Sequence, residues 1–170
     1  KRQIDGIDLQ QTGVVRKIDG DAIQRLLDMN NVVLLSPVGH SPAGEAFSLS
    51  HQQVASEIAI ALKAEKLIAF TDSEGLHNKD GELLRELNPE QALEACCNLP
   101  DNSETVSAVG ALVHALKHEV NRAHLMNFNS DGALLEELFT VDGTGTLIQN
   151  RHFEALRQAT LDDIPAIIDI

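Results

Sequence analysis

The chain has 170 residues, with Lys+Arg 13 against Asp+Glu 26 and a formal net charge of −13. That charge repels a phosphate backbone or an anionic lipid surface, so no nucleic-acid and no membrane partner is expected. Aromatic residues make up 3%, with no Trp and no Tyr, which leaves few stacking platforms for bases or sugars. Hydrophobic residues at 43% and charged residues at 23% are the balance of a folded globular chain, long enough for one domain or a piece of a larger one. No apolar run approaches the ~20 residues that span a bilayer, and Lys1-Arg2-Gln3-Ile4-Asp5 lacks the apolar core of a signal peptide. A cytoplasmic location is therefore expected. Cys96 and Cys97 are adjacent, which suits neither a disulfide framework nor a four-ligand zinc site.

From Asn31 onward the chain reads as alternating strands and helices. Val32-Val33-Leu34-Leu35, closed by Ser36-Pro37, predicts a short strand buried on both faces. A loop from Val38 to Glu45 follows. Ser50 with Gln53 three residues on has the form of a capping box, and Val54, Ile58, Ala61 and Leu62 recur behind it at helical spacing. Lys66 to Thr71 predicts a second buried strand. The segment Asn78–Leu87 reads as a turn or hairpin around Asp80-Gly81, with Leu83, Leu84 and Leu87 inward. A short helix is expected from Pro89 to Cys97, capped by Asn88. Thr105 to His118 is expected to be helical, with Val106, Val109, Leu112, Val113 and Leu116 as its apolar stripe. Ala123 to Met126 and the stretch around Thr146-Leu147-Ile148 predict the last two strands, with a helix from Gly132 to Phe139 between them. Strands and helices in this order indicate an α/β fold with a parallel sheet. After Asn150 the character changes: Ala155 to Thr160 is strand-like, and Leu161-Asp162-Asp163-Ile164 opens a helix capped by Thr160.

Few residues carry chemistry on their own. His114 and His118 are four apart on one helix, but with no third ligand nearby they read as a solvated face and no metal site is expected. No Gly-x-Ser-x-Gly setting surrounds Ser36, Ser41 or Ser50, so a hydrolase triad has no support. Gly143-Thr144-Gly145, after an acidic helix, allows a backbone turn to approach a ligand closely. The same glycines also serve an ordinary helix-to-strand turn.

The run Leu134-Leu135-Glu136-Glu137-Leu138-Phe139-Thr140 followed by Gly143-Thr144-Gly145-Thr146 resembles the end of the amino-acid-kinase domain in the acetylglutamate kinase and bacterial N-acetylglutamate synthase group. Leu62-Lys63-Ala64-Glu65-Lys66-Leu67-Ile68 is similar too. Pro37-Val38-Gly39 with Gly44-Glu45-Ala46-Phe47-Ser48-Leu49, and Gly6-Ile7-Asp8 with Thr12 to Asp19, resemble the synthase version. The tail from Leu156 to Ile164 resembles the first strand and helix of a GNAT acyltransferase domain. The resemblance implies an α/β chain in two parts. Residues 1–150 would be the C-terminal portion of an amino-acid-kinase-like regulatory domain, and 151–170 the linker and start of a GNAT domain that continues beyond Ile170.

By resemblance, the parent protein transfers acetyl from acetyl-CoA to L-glutamate, the first step of arginine biosynthesis, under control by L-arginine, and assembles as a homo-oligomer. Departures from the kinase pattern speak against phosphoryl transfer. Ser48-Leu49-Ser50-His51-Gln52 stands where kinases carry an aspartate, and Ser107-Ala108 where they carry a lysine, so the charges that organise the transferring group are missing. An ATP-using, acetylglutamate-kinase-like phosphotransferase is the competing reading. No catalytic residue and no cofactor is expected within these 170 residues. The resemblance further implies an arginine site in which Glu137 takes the guanidinium, Gly143 and Gly145 shape the loop, His124 sits on the adjacent strand and Lys66 faces the ligand carboxylate. The structural alternatives are a helix-surface acid for Glu137 and a satisfied strand residue for His124.

Overall fold

The computed structural model describes residues 3–4, 7–8, 10–97, 99–100, 102–139 and 144–150, with side chains for 10–97, 99–100, 102–136 and 144–150. The expected strand and helix between Ala155 and Ile164 lie outside the described residues. Two short strands, β1 (Gln3–Ile4) and β2 (Ile7–Asp8), pair antiparallel and precede helix α1 (Gly20–Asp28). This helix was not anticipated. Asp19 caps it by accepting from Ala22 N at 3.0 Å, and Ile23, Leu26 and Leu27 give it an apolar side, yet none of its residues is buried among the described residues.

The expected strand at Val32–Leu35 is not formed: residues 31–36 are irregular, with Val32 96% and Leu34 95% exposed. An apolar run becomes a buried strand only where another strand accepts its backbone bonds, and no described strand lies beside it. The expected loop from Val38 to Glu45 instead contains half of a hairpin, β3 (Val38–His40) against β4 (Ala46–Ser48), turned at Gly44 with φ +84°.

Helix α2 (His51–Ala61) starts at Ser50, whose hydroxyl accepts from Gln53 N at 3.4 Å. Its buried face centres on Ser56 and Ala59 rather than on Val54, Ile58, Ala61 and Leu62. The small residues permit close contact with the next long helix, and the Ser56 hydroxyl donates across it to Ala111 O at 2.9 Å. Strand β5 (Lys66–Thr71) follows. The predicted hairpin is β6 (Leu76–His77) against β7 (Leu83–Leu84), its turn held by Asn78 Oδ1, which accepts from Asp80 N and Glu82 N at 2.9 Å each.

Strand β8 (Glu86–Leu87) leads into α3 (Pro89–Cys96), where Asn88 and Gln91 form a reciprocal capping box. Helix α4 (Glu104–Leu116) is capped by Ser103. Then come β9 (Arg122–Asn127), α5 (Ala133–Phe139) and β10 (Thr146–Gln149).

The main sheet has the order β5-β9-β10-β8, with β5·β9 and β10·β8 parallel and β10·β9 antiparallel. Side chains alternate between its faces. One face, carrying Leu67, Ala69, Ala123, Leu125, Ile148 and Leu87, packs on Val109, Leu112, Val113 and Leu116 of α4 and on Ala92 and Cys96 of α3. Burial raises the Cys96 thiol pKa, and the neighbouring Cys97 raises it further. Both cysteines are free, Cys96 buried and Cys97 exposed. Ala108 is also in this core, so its methyl is packed rather than offered to a ligand. No helix of the described residues is long and apolar enough to cross a membrane.

Candidate functional site

The second face of the sheet holds the residues with chemistry. In the parallel β5·β9 register Lys66 pairs with Arg122 and Ile68 with His124, and across β10 His124 pairs with Leu147 and Arg122 with Gln149. Alternation therefore puts Lys66, Arg122 and His124 on one face, away from the α3–α4 core. His124 is 4% exposed, and its pKa is held down at about 4. Burial is the main cause, and the positive charges of Lys66 and Arg122 add to it. At neutral pH the imidazole is uncharged, beside two half-buried cations in a protein whose overall charge is −13. The same face carries Glu86, whose Oε1 accepts from Gln149 Nε2 at 2.8 Å. Arg122 was not among the candidate residues. Only the parallel pairing of two strands far apart in sequence sets it next to Lys66.

Gly145 lies in the turn just before Thr146, which pairs with Leu125. It has φ +91°, and a Cβ there would collide with the Leu125 carbonyl oxygen. Only glycine fits this close crossing of backbones. Lys66 and Gly145 stand about 13 Å apart along the strand direction, at ~3.3 Å per residue, with His124 between them. Glu137 belongs to α5, and its side chain, like all of Gly143, falls outside what the structure describes. Lys66 and His124 thus share one face with Arg122, while Gly145 stands just outside β10 in the turn that enters it.

The helical histidines behave as surface groups. His114 Nε2 is 3.2 Å from Glu57 Oε1, and His118 Nδ1 is 2.8 Å from the His114 carbonyl. Among the described residues no group of three His, Cys, Asp or Glu side chains could hold a metal ion. At the kinase-aspartate position, Gln52 accepts a hydrogen bond from the Ser50 hydroxyl at 2.7 Å within the helix cap.

A cleft of about 480 Å³ opens at the C-terminal ends of β5 and β9, lined by Glu74, Arg85, Asn127, Glu136 and Gly145 among others. Lys66 and His124 do not line it. One wall is the β6–β7 hairpin, fastened by the buried Thr146 hydroxyl, which accepts from Leu76 N at 2.9 Å and donates to Leu84 O at 2.7 Å. Asn127 is oriented twice, its Nδ2 donating to Asp72 O at 3.2 Å and its Oδ1 accepting from Asn129 N at 2.7 Å.

The profile of the Amino acid kinase family matches residues 1–127. Over 167 residues the chain is 44% identical to an amino-acid acetyltransferase of Ralstonia nicotianae and 43% identical to one of Pseudomonas aeruginosa, covering 98% of this chain and 37% and 38% of those proteins. The crystal structure of N-acetylglutamate synthase from Neisseria gonorrhoeae, complexed with coenzyme A and L-arginine, superimposes with a TM-score of 0.84 at 40% identity, over 98% of this chain and 39% of that one. Carbamate kinase from Giardia lamblia, at 18% identity and a TM-score of 0.60, shares the fold over 79% of this chain and 45% of its own. The chain spans less than two fifths of the length of the acetyltransferases it matches.

Proposed function

The chain belongs to the amino acid kinase family, and from that premise we propose that it is the arginine-sensing portion of an N-acetylglutamate synthase. The whole protein transfers acetyl from acetyl-CoA to the amino group of L-glutamate, in the cytoplasm and as a homo-oligomer, and these residues adjust that activity without catalysing it. The observation that supports the reading is the joint placement of Lys66 and His124 on one sheet face, together with the L-arginine bound in the Neisseria gonorrhoeae protein of the same fold.

The chemistry of each residue suits its role. The Glu137 carboxylate pairs with the guanidinium in the bidentate geometry that arginine favours. Gly143 and Gly145 let the backbone close on the ligand. Neutral His124 exchanges hydrogen bonds without adding a charge to repel the guanidinium, and Lys66, reinforced by Arg122, attracts the carboxylate. Phosphoryl transfer has no cation at buried Ala108 and no acid at Gln52 to support it.

Calorimetric titration of the intact protein with L-arginine tests the reading. A binding event weakened at least tenfold by Glu137→Ala and by His124→Gln is expected. Arginine affinity unchanged in both variants contradicts it, and ATP–magnesium binding in place of arginine restores the phosphotransferase reading.

A further inference from the structure

We propose that the seam between α2 and α4 is an acid-strengthened clamp, in which protonation of His114 turns its contact with Glu57 into an ion pair across the two helices. Three pairs cross this seam in chain order: His51–Glu104 at 3.7 Å, Glu57–His114 at 3.2 Å and Lys63–Glu119 at 3.6 Å. The shared order means that α2 and α4 run in the same direction. Between the pairs the helices touch through small side chains, Ala59 against Ala115, and Ser56 donates to the Ala111 carbonyl.

Lysine and glutamate keep their charges across pH 5.5–8, whereas histidine changes its own within that range. The Lys63–Glu119 pair is therefore constant and the two histidine pairs vary. Lys63 and Glu119 follow their helices in left-handed backbone, at φ +49° and +73°. Glycine is the usual residue at such places, yet here both carry the side chains that meet across the seam.

Of the two variable pairs, Glu57–His114 is the stronger. Its atoms are at hydrogen-bond distance, Glu57 is half-buried, and His114 lies in the last turn of α4, whose carbonyl end favours a positive charge. His51 opens α2, where the helix dipole opposes a positive charge, and it stands farther from its partner. Two groups on α4 itself oppose the charging of His114: the His118 ring at 4.5 Å and Lys117 one turn on. They keep the gain modest. Leu67 of β5, Ala123 and Leu125 of β9 and Ala92 of α3 bring no charge, and burial keeps the Cys96 thiol of α3 protonated. Helix α2 runs on into β5 and α4 into β9, whose first residues Lys66 and Arg122 pair, so the clamp joins the two strand entries. It does so whether or not arginine binds beside them.

Double-mutant cycles read by urea unfolding of the intact protein at pH 5.5 and pH 8 test the proposal. Between Glu57→Gln and His114→Gln, a coupling of roughly two- to fivefold in the unfolding equilibrium constant is expected at pH 5.5, falling toward one at pH 8. The cycle of Lys63→Met with Glu119→Gln should give the same coupling at both pH values. His124 is present in all four proteins of each cycle, so its own titration cancels. None of the four substituted side chains is buried, so the variants keep the fold. A Glu57–His114 coupling that is absent, or equal at both pH values, overturns the proposal. So does an equal rise with acid in the Lys63–Glu119 cycle.

Discussion

His124 and Gly145 show how local physics constrains single residues. His124 is neutral because burial, with Lys66 and Arg122 nearby, holds its pKa down at about 4 from an ordinary 6.5. Between those values the unfolded chain takes up a proton that the folded chain refuses, so stability is fully present above pH 6.5 and declines as the pH falls toward 4. The loss amounts to about 3 kcal/mol. Urea unfolding at pH 7 and pH 4.5 should therefore show a smaller pH penalty in His124→Gln than in wild type. Equal penalties would place the titration elsewhere. Gly145 is constrained differently: φ +91° and the Leu125 carbonyl leave no room for a Cβ. Gly145→Ala should lower stability by roughly 2–4 kcal/mol, from left-handed strain plus the clash, visible as a lower denaturant midpoint. A loss below ~0.5 kcal/mol would mean that the crossing is loose.

At the scale of elements, burial follows partners rather than hydrophobicity. Leu112 of α4 is enclosed by α3 and the sheet, and Leu112→Ala should cost about 2–5 kcal/mol. Val32 and Leu34 are just as apolar but nearly fully exposed, so Val32→Ser and Leu34→Ser should each change the unfolding free energy by no more than ~0.5 kcal/mol. A cost as large as that of Leu112→Ala would show that this run is covered in solution. The same contrast explains what could be read from the residues alone. Ser50 and Asn88 cap their helices through bonds to backbone three residues away, so sequence spacing was enough to place α2 and α3 closely, while the apolar stripe from Val106 to Leu116 placed α4. The Val32–Leu35 run was misread because periodicity cannot say whether a neighbouring strand exists. The hairpin of β3 and β4 depends likewise on a pairing that no local signal announces. Gly145 was legible as a close-approach glycine, whereas Arg122 was not legible as a site residue. The Arg85 cleft also escaped notice, since its two charged walls come from a hairpin and a helix that meet only in the folded chain.

For the whole molecule, the amino acid kinase fold brings Lys66, Arg122 and His124 to one face of the sheet, with Ala108 packed in the core and Gln52 bonded within a helix cap. A molecule with 26 acids and 13 Lys and Arg residues repels most anions, yet it holds Lys66 and Arg122 together on one half-buried patch and keeps the histidine between them and Gly145 neutral. In the proposed reading, an amino acid that carries both a carboxylate and a guanidinium binds between that patch and Glu137. Thermal unfolding with and without L-arginine tests this claim most directly, with L-citrulline as a ligand that keeps the amino-acid end but not the guanidinium charge. At 100 times its dissociation constant, L-arginine adds ~2.7 kcal/mol, which at ~2–4 °C per kcal/mol raises the midpoint by roughly 5–10 °C. The account predicts that rise with L-arginine, little with L-citrulline, and less than half of it in Glu137→Ala. An equal rise in wild type and Glu137→Ala, or none in wild type, would contradict it.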